Sequence, residues 1–310
     1  MRHFILQLSG CILVLFSGTL YAEEAPQEAP QQGADKSILN WVGCGISKKS
    51  YMTRLAEAYS VKHKITINLQ GGGATRGIRD VSKQEADFGG SCRYYLPGNE
   101  LEGKVGFEPV AWDALAVITH PDNPVSNLSL EQVKNIYSGK LTNWKDVGGN
   151  DAPIELLARK GKISGVGYSI RSLIFSNINQ DFPTAKKFKS SGPIEKAVEA
   201  NINAVAITGV SSARLRKVKI LSLNDKQPNY ESIKKGHYVL YRPLFITYNP
   251  QSKNIKQIKD FIRFAHSRQG RKIMIENGVV PYIDALKLVM IQSRQMLKAQ
   301  SESSTSITHE

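Results

Sequence analysis

Gln70-Gly71-Gly72-Gly73-Ala74-Thr75-Arg76-Gly77-Ile78 is the stretch on which the fold turns. Ahead of it, Ile65, Ile67 and Leu69 alternate with polar residues, the period of a half-buried strand. Behind it, Ile78 and Val81 stand three apart, as on the buried face of a helix. Three glycines between a strand and a helix let backbone N–H groups converge on an anion, aided by the positive helix end. The loop has no P-loop lysine and does not give G-x-G-x-x-G, so neither nucleotide reading applies. A plain tight turn stays open as the alternative.

The same alternation extends in both directions. Leu39–Gly43 is a short apolar run entering Gly43-Cys44-Gly45, and a helix is predicted from Ser50 with Met52, Leu55, Ala56 and Tyr59 on one face. Phe88-Gly89-Gly90-Ser91 ends the next strand, and Ala114–Thr119 is another. Ser129 with Gln132 forms a capping box for a helix buried through Leu130, Val133 and Ile136. Strands at Ile154–Ala158 and Ala204–Thr208 flank a helix around Pro193–Asn201. His237–Leu240 and Phe245–Tyr248 read as two strands, because Pro243 interrupts a single one. Helices over Ile255–Ser267 and Gln269–Glu276 follow. Repeated strand–loop–helix units predict an α/β sheet with ligand loops at the strand ends.

The N-terminus points to export. Arg2 and His3 precede an apolar run from Phe4 to Leu20, and Leu20-Tyr21-Ala22 supplies a small residue before acidic Glu23 and Glu24. This is the layout of a cleaved signal over residues 1–22. Leu8-Ser9-Gly10-Cys11 matches a lipoprotein box, but the apolar run continues past Cys11, so the cut after Ala22 is preferred. Residues 23–37 read as a flexible linker, and residues 289–310 as a polar tail that frays from a helix into disorder.

A net charge of +14 permits an anionic partner, but 41 basic and 27 acidic residues are interleaved without long like-charge runs. Aromatics do not interleave with a basic stripe, which argues against nucleic acid. Two cysteines remain after the signal, Cys44 and Cys92, too few for a structural zinc site, and the histidines lack metal spacing. No nucleophile–base signature marks an enzyme, and no metal or cofactor is expected. Trp41, Trp112 and Trp144 read as packing residues.

Four strand-end loops carry the candidate chemistry: Gly45-Ile46-Ser47, the glycine loop with Ala74 and Thr75, Ser91-Cys92-Arg93, and Arg159-Lys160 followed by Ser164-Gly165. The last reads equally as a helix N-cap. Together with Asp87-Phe88-Gly89-Gly90-Ser91, Asn123-Pro124-Val125, Ile136-Tyr137-Ser138-Gly139-Lys140-Leu141-Thr142-Asn143-Trp144, Arg242-Pro243-Leu244 and Gln269-Gly270-Arg271-Lys272, they make residues 38–286 resemble the PstS-like phosphate-binding family.

That resemblance implies a two-lobed periplasmic-binding-protein fold (Venus-flytrap, type II). Residues 38–118 plus 244–288 would form one lobe and 119–243 the other. It implies a monomer that captures phosphate or a related oxyanion and delivers it to an inner-membrane ABC permease. Position by position, the ligand set would be Ser47, Ala74, Thr75, Ser91, Cys92, Arg159 or Lys160, Ser164 and Gly165. Three positions depart from the family pattern: Cys92 stands where many members have an acidic residue, and Ala74 and Val166 each lack a hydroxyl. A missing hydrogen bond to a charged ligand costs about 1.5–3 kcal/mol. Cys44 and Cys92 fall on two of the loops and are either a disulfide that staples them or two buried thiols. The alternative function is a sensor, adhesin or interaction protein with the same fold and a weakened anion site.

Overall fold

Glycine sets how closely the first elements approach. In the computed structural model, which describes residues 38–184 and 186–294, β1 (Ile38–Gly43) lies between β2 (Thr66–Gly71) and β3 (Phe88–Ser91), parallel to both. Gly43 pairs with Gly71 on one side and Gly90 on the other, and a Cβ there would stand 2.6 Å from the Gly90 nitrogen. A Cβ at Gly77 would stand 2.5 Å from the Val42 carbonyl oxygen, so α2 (Ala74–Ser82) rests directly on β1. The preceding helix, α1 (Thr53–His63), begins later than Ser50 because residues Lys48–Met52 form a π-helical turn and Gly45–Ser47 a single α-turn. The signal and linker segments and residues 295–310 lie outside the described residues.

The sheet is mixed. β4 (Gly106–Thr119) runs antiparallel to β5 (Ala204–Gly209) and to β6 (Tyr241–Tyr248), and the order is β2-β1-β3-β6-β4-β5, with Glu155–Leu156 beyond β5. β4 pairs with β6 through Ala114 and with β5 from Leu115 onward, so one strand belongs to both lobes. The strand is longer than its apolar run, Ala114–Thr119, indicates. Its first half carries Glu108 and Pro109 and is held by β6 rather than by a full apolar face.

Two expectations near the second crossing are corrected. His237–Leu240 is not a strand, whereas β6 runs unbroken through Pro243. Its neighbour β3 reaches β6 only from Phe245, so Pro243 has a ladder partner on the β4 flank alone, the edge-like setting in which a strand tolerates proline. The register slips beside it, with β4 carrying Val110 between the partners of Leu244 and Phe245, a bulge.

The remaining helices follow the sequence. α3 (Leu130–Ser138) has the full capping box of Ser129 and Gln132 and ends at Gly139, with φ 75°. α4 (Gly165–Phe175) is capped by Ser164, and α5 (Ser191–Glu199) packs on β5. α6 (Ile255–His266) and α7 (Arg268–Glu276) return to the first lobe, where Phe261 meets Tyr59 and Phe88 edge-on. Trp41, Trp112 and Trp144 are buried. At the start of the segment 289–310 the chain is helical, over 287–294. Gln292 is buried there, accepting from the Tyr94 hydroxyl at 2.6 Å and donating to the Tyr241 carbonyl at 3.3 Å.

Candidate functional site

Because β2, β1 and β3 are parallel neighbours, the loops leaving their ends are neighbours too. Gly72 and Gly73 both donate from their N–H groups to the Gly43 carbonyl, and Cys44 donates to that of Gly90. Cys44 and Cys92 are joined by a disulfide, with their Cα atoms 6.3 Å apart. The bond ties the first loop to the third, and both residues are buried.

The fourth loop comes from the other lobe and meets these three. A Cβ added to Gly165 would collide with Cys92 Sγ and lie 3.5 Å from Ala74 Cβ, so only glycine lets the start of α4 close on the disulfide. The Ile163 carbonyl accepts from Thr75 Oγ1 at 3.2 Å and from Arg93 Nε at 2.9 Å. Arg93 is buried and forked onto Glu102, at 2.6 and 3.0 Å, which fixes its reach across the cleft. Ser169, one turn into α4, donates to the Gly165 carbonyl and, at 3.4 Å, to that of Cys92.

Two helix N-termini thereby face each other, α2 at Ala74 and α4 at Gly165. Gly73 gives α2 no side-chain cap. In α4, Ser164 Oγ caps the Gly167 N–H, while Gly165 and Val166 lie ahead of that bond. Each helix end carries roughly half a positive charge. Bringing two together in a buried place is unfavourable without an anion between them. Among the described residues, the four loops present hydroxyls, N–H groups, the guanidinium groups of Arg93 and Arg159 and the disulfide, and no carboxylate.

The individual residues are placed as follows. Ser47 is buried, its hydroxyl 3.5 Å from the Ser91 carbonyl. Ser91 Oγ is engaged in its own turn, donating to the Arg93 carbonyl and accepting from the Arg93 N–H. Arg159 is buried and donates to Ser191 Oγ at 3.0 Å and the Lys189 carbonyl at 2.7 Å, with Nε left unpartnered. Its pKa falls to about 10, mainly through burial and then through the charge of Arg242. Lys160 is exposed, so the short strand Ala158–Arg159 turns Arg159 and not Lys160 inward. Ser169, Asp113 and Arg242 lie outside the four candidate loops of the sequence, whereas Arg93 closes the third of them. Arg93 follows Cys92 directly and Arg242 opens a quoted motif, but nothing local marks a buried arginine. No group of three His, Cys, Asp or Glu suited to a metal occurs among the described residues, and no helix there is long and apolar enough to cross a membrane.

A family model described as the PBP superfamily domain matches residues 42–269. The phosphate-binding protein PstS of Borreliella burgdorferi is 29% identical over 224 residues, 69% of this chain and 78% of that one. PstS of Pseudomonas aeruginosa is 25% identical over 258 residues, covering 74% and 79%. Among solved structures, an ABC-type phosphate transport receptor from Vibrio cholerae is 32% identical with a TM-score of 0.60, covering 79% of this chain and all of that one. A substrate-binding protein from Clostridium perfringens, solved with bound phosphate, gives a TM-score of 0.72 at 27% identity, covering 79% and 99%.

Proposed function

Because the chain belongs to the PBP superfamily domain family, we propose that it is an exported receptor, and not an enzyme, that captures inorganic phosphate or a related tetrahedral oxyanion between its lobes and passes it to an ABC importer. The observation that carries this reading is the meeting of two helix N-termini, one from each lobe, beside a buried arginine with no carboxylate among the loops. The names of its relatives, phosphate-binding proteins and a phosphate transport receptor, support the choice of ligand. The ligand groups are Ser47, Thr75, Ser91, Arg159 and Ser164, with backbone N–H groups of Ala74, Cys92 and Gly165. Export follows from the signal at residues 1–22, with mature protein starting at Glu23.

Isothermal titration with phosphate tests the reading, on protein unfolded and refolded to strip retained ligand. Binding at micromolar or tighter Kd is expected. Absence of heat with phosphate, sulfate and arsenate would sink it and favour an interaction protein, for which the apolar atoms that Ala74, Cys92 and Val166 bring to the cleft are the motive.

A further inference from the structure

Arg242 and Asp113 are ladder partners on the two strands that cross between the lobes, beside the point where β4 leaves β6 for β5. Both are buried, and their nearest charged atoms, Nη2 and an Asp113 Oδ, are 3.7 Å apart. The pair does not stay within the ladder. Arg242 Nη1 donates to the Gly165 carbonyl and to Ser169 Oγ, each at 3.1 Å, in the first turns of α4. Asp113 accepts from Ser211 Oγ at 2.7 Å, on the turn that follows β5. Through Ser169 the same network reaches the Cys92 carbonyl. A crevice at the lobe seam is lined by Arg93, Tyr168, Ser169 and Arg242.

Stability does not account for this pair. Burial pulls the Arg242 pKa down to about 10 against the opposing help of Asp113. Burial likewise raises that of Asp113, against Arg242 and Ser211. Arg242 Nε and Nη2 and Asp113 Oδ2 have no hydrogen-bond partner among the described residues. Such a pair is often neutral or costly compared with apolar side chains of the same size. Its position gives it another use.

We propose that Arg242 is a positioning residue: rooted on a crossing strand and paired to Asp113, it holds the first turn of α4 closed against the disulfide loop and so sets the balance between open and closed lobes. Opening the cleft separates Gly165 and Ser169 from Arg242 and leaves the guanidinium buried with Asp113 alone. The ligand named here rests on the function proposed above; the effect on the lobes does not.

The test uses the mature chain with Arg242→Met, Arg242→Lys and the double variant Arg242→Met/Asp113→Asn, the last in case the first leaves Asp113 stranded and fails to fold. Small-angle scattering of the ligand-free protein is expected to give a larger radius of gyration for Arg242→Met and the double variant than for wild type. Arg242→Lys should fall between, because an ammonium cannot serve Asp113 and the Gly165 carbonyl in one fork. With phosphate, dissociation in stopped flow should be at least tenfold faster for Arg242→Met, while melting of the double variant stays near wild type. Folded variants with the wild-type radius would overturn the proposal whether or not phosphate binds, and so would an unchanged dissociation rate where it does. Wild-type protein that binds no oxyanion, with the shift in radius intact, would remove the function proposed above and leave this role standing.

Discussion

At Cys92 the chain places a sulfur where two loops of one lobe meet a helix start of the other. A disulfide sulfur neither carries charge nor takes up a proton, so it cannot discriminate between a protonated and a fully ionised oxyanion by repulsion. Sulfate is therefore expected to compete with phosphate in wild-type protein. The pair Cys44→Ala/Cys92→Asp should raise the phosphate-to-sulfate affinity ratio at least tenfold in competition titration; an unchanged ratio counts against the assignment of this position. At the neighbouring Gly165, alanine has no room beside Cys92 Sγ. Gly165→Ala should fold normally yet weaken phosphate binding by about tenfold or more, about 1.4 kcal/mol; unaltered affinity would show that the cleft closes differently. Ser47 and Ser164 were legible as small hydroxyl residues at strand ends. Arg93 and Arg159 stood in candidate loops, but the burial of these arginines and of Arg242 was not legible, because a lone arginine gives no period to read, and only the turn of a short strand distinguishes Arg159 from Lys160.

Among the elements, legibility followed chemistry that is local. Ser129 and Gln132 satisfy each other's backbone within one turn, so α3 could be read without the rest of the molecule. Ser129→Ala should cost about 1 kcal/mol, seen as a lower denaturant midpoint with the same slope. β6 was misread because the tolerance of Pro243 depends on where β3 stops, a tertiary fact absent from the local sequence. The segment Ser91-Cys92-Arg93 and the helical turn Glu100–Gly103 are joined by the buried Arg93–Glu102 fork. Arg93→Met alone should cost about 3–5 kcal/mol by stranding the carboxylate, with Arg93→Met/Glu102→Gln recovering most of it. Equal losses in single and double variants would locate the energy elsewhere.

For the whole molecule, five buried tyrosines give a titration effect in the alkaline range. Burial raises the pKa values of Tyr51, Tyr94, Tyr137 and Tyr238 above the usual tyrosine value, and that of Tyr241 to about 12. The unfolded chain loses these protons near pH 10 and the folded one later, so their stabilising contribution is complete below pH 10 and is lost as pH climbs through the folded values. Absorbance of tyrosinate at 295 nm should therefore rise in a late step that coincides with loss of near-ultraviolet circular dichroism. An early, complete titration with the fold intact would contradict the burial of these rings.

The pairing of Ser91 with Phe245 has a consequence for how the chain acquires its structure. The first lobe cannot complete its sheet until β6 has been synthesised, after nearly all of the second lobe. Contacts so distant in sequence make folding slow. A fragment ending at Leu240 lacks β6, α6 and α7 and should show no cooperative unfolding transition. The strand that completes the first lobe thus also delays its folding until the chain is almost finished.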